Sequence, residues 1–151
     1  EFNFYRDPLA ARRVLTAGRP GKLTTLDVTH AVYVDDSHVA HLAAGRATAG
    51  HVLARILEAC LDYHGGEATG LVAARHMLLH DPVAVAGLLW PRIFIRARVG
   101  VEITTEGPSA GQSRPVLGRG NPQAIDVQTA VAVVDFLENF LETICREPFV
   151  V

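Results

Sequence analysis

The sequence predicts an α/β protein. Residues Ile93 to Ile103 alternate apolar and wetter side chains at period two, as a strand with one buried face does. Val52, Leu53, Ile56, Leu57, Cys60 and Leu61 recur at helical spacing. Asp7-Pro8 and Asp81-Pro82 each lead into a run that suits a helix. An aspartate cap followed by proline is an ordinary helix opening.

Taken in order, Asp7-Pro8 starts a helix that Gly18 ends. Lys22 to Thr29 reads as a short buried strand, with Leu23, Leu26 and Val28 as its apolar members. Ser37 to Ala44 reads as a short helix, and Arg46 to Tyr63 as a longer one stopped by Gly65-Gly66. Glu67 to Leu79 has no clear period and reads as a loop with one more helical turn. Pro82 to Trp90 is helical, and Pro91 stops it. Beyond the strand Ile93 to Ile103, Glu106 to Asn121 is rich in proline and glycine and reads as a loop, with a short strand at Val116-Leu117. Ala124 to Val131 reads as a strand. A final helix carries the stripe Val133, Leu137, Phe140, Leu141 and Ile144, with Asp135, Glu138, Asn139 and Glu142 on its outer face.

The chain of 151 residues is the size of one domain and long enough to bury a core. Its net charge of −2 gives no electrostatic case for nucleic-acid binding. No apolar run approaches the roughly 20 residues of a membrane span, so no membrane role is expected. Cys60 and Cys145 lie in helical patterns without C-x-x-C spacing. That argues against a disulfide framework and makes a reducing cytoplasm the default.

Chemistry concentrates at Leu79-His80-Asp81-Pro82. Histidine exchanges protons near neutral pH, and a carboxylate holds a hard cation through oxygen. The same residues have a plain structural reading, in which Asp81 caps a helix and Pro82 is its first residue. A second cluster is His38 and His41, three apart with His30 nearby. Zinc needs three or four converging ligands, and chance clustering among seven histidines explains that group as well.

Glu1-Phe2-Asn3, Asp7-Pro8 and Ala10-Ala11 form the pattern E-F-N-x-x-x-D-P-x-A-A. Leu26-Asp27-Val28-Thr29 and His80-Asp81-Pro82 follow in that order. Together these segments resemble the nucleoside hydrolase family of inosine-uridine-preferring type. The resemblance implies a mainly parallel sheet flanked by helices, with L-D-V-T at a strand end. It further implies hydrolysis of the N-glycosidic bond of a ribonucleoside to base and ribose. By resemblance, Glu1 and Asn3 would bind the ribose hydroxyls, His80 would be the general acid, and Asp81 would be a Ca²⁺ ligand. Each has a simpler reading: Glu1 as a frayed terminus, Asn3 as a turn residue, His80 as a hydrogen-bond partner of a neighbouring loop. Thr29 and Asp27 read as structural.

The family's cluster D-x-D-x-x-x-D-D, which supplies most calcium ligands and the base that activates water, is absent from this sequence. Its only adjacent acidic pair is Asp35-Asp36. The resemblance is therefore to the C-terminal half of a nucleoside hydrolase, and residues 1–151 are expected to form that half. Weak or absent calcium binding and little activity follow for such a fragment. A half-fold leaves a sheet edge uncovered, which invites homo-oligomerisation or association with an N-terminal half. The alternative is a non-catalytic module that works through oligomerisation or by completing another chain.

Overall fold

A computed structural model describes residues 2–18, 21–64, 75–116 and 124–146, with the side chain of His64 left aside. The chain divides into two compact units. One joins Glu1–Val28 to Phe94–Ala130, and the other joins Thr29–Ile93 to Val131–Val151.

The first unit begins with helices α1 (Phe2–Arg6) and α2 (Pro8–Thr16). The Asp7 carboxylate caps α2 by accepting from Ala10 N at 2.9 Å, and Pro8 occupies its first turn. Gly18, at φ +69, ends the segment in the left-handed region that glycine enters freely. Four strands follow: β1 (Lys22–Thr24), β4 (Phe94–Ile103), β5 (Ser113–Val116) and β6 (Ile125–Val131). Their order is β1-β6-β4-β5. β1 runs parallel to β6, with Leu23 opposite Val127, and β5 runs antiparallel to β4, with Pro115 opposite Val101.

Two expectations need correcting in this unit. The strand beginning at Lys22 ends at Thr24, and Leu26–Thr29 is a helical turn, α3, closed by Val28 N donating to Thr25 O at 3.1 Å. Leu26-Asp27-Val28-Thr29 is thus not a strand end. Burial along β4 also fails to follow a single parity. Phe94, Gly100 and Ile103 are buried, while Ile95 is 68% exposed. Ten strand residues extend about 33 Å, whereas the nine-residue helix α2 packed against them spans about 14 Å and cannot cover the whole strand.

The loop after β4 returns to α1. Gly111 holds φ +86, and a Cβ there would fall 2.6 Å from Tyr5 Cα. Gly111→Ala should cost about 1–2 kcal/mol for the left-handed backbone alone, and the collision would push α1 away. A lowered urea midpoint checks this. An unchanged midpoint would mean that residue 111 leaves the left-handed region and the loop and α1 part, both without cost.

The second unit holds β2 (Tyr33–Asp35), β3 (His76–Leu78) and helices α4 (Asp36–Ala44), α5 (Thr48–His64), α6 (His80–Leu89) and α7 (Val133–Cys145). Neither three-residue strand is visible as a period in the sequence. They pair antiparallel, Tyr33 with Leu78 and Asp35 with His76. Leu42, Leu57, Leu61, Val83 and Phe136 are among the buried side chains here. Phe136 is not among the residues foreseen for the α7 stripe, yet it lies three residues beyond Val133 and four before Phe140, on the same face, and it is the residue of α7 that is buried. Cys60 and Cys145 are free thiols and half-buried.

Candidate functional site

The ladder of β2 and β3 determines which residues meet. Beyond Tyr33 and Leu78 the register continues, with Leu79 N donating to Val32 O at 3.0 Å. The segment before β2, which carries Thr29 and His30, therefore runs beside the start of α6, which carries His80 and Asp81. Thr29 is 4% exposed, and its Oγ1 lies 2.8 Å from Nδ1 of His80. The His30 ring meets the His80 ring edge to face, with centroids 5.4 Å apart. His80 is half-buried and held on two sides, while Asp81 and His30 are exposed.

The start of α6 differs from expectation. Leu79 occupies the cap position and offers no side-chain hydrogen bond, and the helix begins at His80 rather than Pro82. Asp81 is therefore not the cap but a first-turn acid, where a carboxylate complements the helix dipole. Pro82 falls in the same turn, where a missing N–H costs no internal bond.

Asn3 lies on α1 of the first unit. Glu1 lies outside the described residues. Among the described residues, no three His, Cys, Asp or Glu side chains group to hold a metal ion. Calcium takes ~6–8 oxygens, and Asp81 is exposed in the first turn of α6. No described helix is long and apolar enough to cross a membrane.

His38 has a different partner from the zinc reading. Asp35 caps α4, its Oδ1 accepting from Ser37 N at 2.9 Å and Ser37 Oγ at 2.5 Å, and lying 2.7 Å from His38 Nδ1. His38 Nδ1 is also 3.3 Å from Asp35 N. With a proton on Nδ1, the shorter contact is the hydrogen bond, since one nitrogen cannot donate and accept at once. Asp36 instead faces Arg75, which spans Asp36 and Asp62.

Partial burial alone would raise the Asp35 carboxyl, but the hydrogen bonds from Ser37 and His38 outweigh it and bring the pKa from 3.8 to about 2. A depressed carboxyl stabilises the fold above the unfolded value. That contribution, about 1–2 kcal/mol for a cap of this kind, should disappear as pH falls from about 4 to about 2. Urea titrations across that window should show a smaller pH slope for Asp35→Asn. Equal slopes would mean that the cap is not what titrates.

Sequence reasoning missed the partner of His80. It left Thr29 as structural, and a hydroxyl buried 51 residues away in sequence carries no local signal. Register between two three-residue strands was the missing information.

A family model described as inosine-uridine preferring nucleoside hydrolase matches residues 1–138. The pyrimidine-specific ribonucleoside hydrolase RihA of Shewanella woodyi is 34% identical over 154 aligned positions, covering 97% of this chain and 48% of that protein. RihA of Salmonella typhimurium is 36% identical over 107, covering 71% and 33%. Among solved structures, a purine-preferring ribonucleoside hydrolase from Gardnerella vaginalis superposes with a TM-score of 0.83 at 26% identity, over 96% of this chain and 46% of that one. The chain spans half or less of the length of these relatives.

Proposed function

This chain belongs to the inosine-uridine preferring nucleoside hydrolase family, and we propose that it is the C-terminal portion of a calcium-dependent enzyme that splits ribonucleosides into base and ribose. The observation that carries the proposal is the setting of His80. Its Nδ1 is engaged by Thr29 at the head of α6, which leaves Nε2 to exchange a proton.

In N-glycosidic hydrolysis the bond from C1′ to the base nitrogen breaks, its electron pair leaves with the base, and water supplies the new oxygen at C1′, giving up one proton to a general base that the aspartate cluster of a complementary portion would supply. The departing base needs a proton, and His80 Nε2 provides it. Glu1 and Asn3 would hold the ribose hydroxyls. Asp81 would lend one oxygen to calcium, a cation that orients and acidifies water when bound. The remaining donors have to come from outside the described residues. The relatives include pyrimidine-specific and purine-preferring enzymes, so the substrate class proposed here is a ribonucleoside of either base. The two free thiols support a reducing, cytoplasmic setting. The incomplete donor set supports association with a complementary half or a second copy.

The test is ribose release from inosine and uridine, with calcium and with chelator. The 151-residue chain alone should release none. The same chain fused to the portion of the Shewanella woodyi relative that it does not match should release ribose only with calcium. A folded but inactive fusion would sink the enzymatic reading and favour a non-catalytic module. Release by the chain alone would refute its incompleteness.

A further inference from the structure

We infer that Thr29 is a positioning residue for His80: its hydroxyl accepts from Nδ1–H, fixes the imidazole in the Nδ1–H tautomer, and so reserves Nε2 for the proton that is exchanged. The contact is 2.8 Å long, and the threonine that makes it is 4% exposed. A hydrogen bond sheltered from water holds its geometry better than an exposed one. The imidazole cannot turn over without losing that bond. His30 stands edge-on to the same ring at 5.4 Å and limits its rotation further. The backbone fixes both partners, because the Val32 carbonyl holds Leu79 N immediately before His80.

A hydroxyl can donate or accept, so distance alone does not give the direction. Proton transfer does. A histidine that gives its proton from Nε2 passes between the imidazolium and the Nδ1–H form, and Nδ1 carries hydrogen in both. An acceptor at Nδ1 suits both ends of the step, whereas a donor there would oppose the charged form. The direction rests on the proposed role of His80 as proton donor. The tautomer is read without substrate, so it can fail while the hydrolase reading stands, and the reverse.

The experiment is nitrogen-15 NMR of the imidazoles in the 151-residue chain at about pH 8.5, about two units above the reference value for free imidazole. His80 is assigned by the signal lost in His80→Gln. Unconstrained imidazole prefers hydrogen on Nε2. Wild type should instead show hydrogen on Nδ1 and a bare Nε2. Thr29→Val, equal in shape, should lower the Nδ1–H share severalfold, and Thr29→Ser should restore it. Hydrogen on Nε2 of His80 in wild type overturns the inference, as does an unchanged share in a folded Thr29→Val. If Thr29→Val does not fold, the wild-type tautomer alone decides.

Discussion

His80→Gln should lower the kcat of the fused, calcium-loaded hydrolase by about 10²–10⁴-fold, with KM little changed. Glutamine keeps a polar side chain of similar reach but cannot deliver a proton to the leaving base. The loss should therefore appear in the chemical step rather than in binding. The expected range is that of one positioned general acid. A fused enzyme within tenfold of the unsubstituted rate would mean that the base is protonated from elsewhere. His80 would then be a structural anchor between α6 and the segment carrying Thr29, which is the simpler reading its hydrogen bond also allows.

Phe136→Ala should destabilise the second unit by about 3–5 kcal/mol. Phe136 is fully buried, lies edge to face with Trp90 at 6.1 Å and stacks on Phe140 at 5.8 Å. Removing the ring takes away its transfer energy, leaves a cavity and strips two aromatic partners of their contacts. Domains are typically stable by about 5–15 kcal/mol, so this is a large share. The melting temperature should fall by roughly 10 °C. Phe136→Leu should cost less than half as much, since most of the buried apolar volume is kept and only the ring contacts are lost. A cost near 1 kcal/mol for alanine would show that neighbouring side chains collapse into the space.

The longer elements were legible because their signals are local. Asp7 with Pro8, the apolar spacing within α5 and the stripe of α7 each need only a few neighbouring residues. The three-residue strands β2 and β3 were not legible, since three residues cannot establish a period of two. The helical turn Leu26–Thr29 was absorbed into a strand because its apolar members fit both patterns. His80 and Asp81 were picked out by residue type and by resemblance. The partner Thr29 was not, because only the pairing of two short strands makes it a neighbour. Asp81 was misplaced by one motif: an aspartate before a proline caps α2 at Asp7 but sits inside the first turn of α6.

The outer strand β5 has a consequence for the chain in a crowded solution. Within the described residues it borders the sheet, and all four of its residues are exposed. A bare rim of this kind is a template on which a foreign strand can grow, one backbone bond at a time. Pro115 has no N–H to contribute, and Arg114 places a charge beside it. The opposite rim, β1, is only three residues long. Among the described residues neither border offers a long unbroken row of donors and acceptors, which makes each a short template for an added strand.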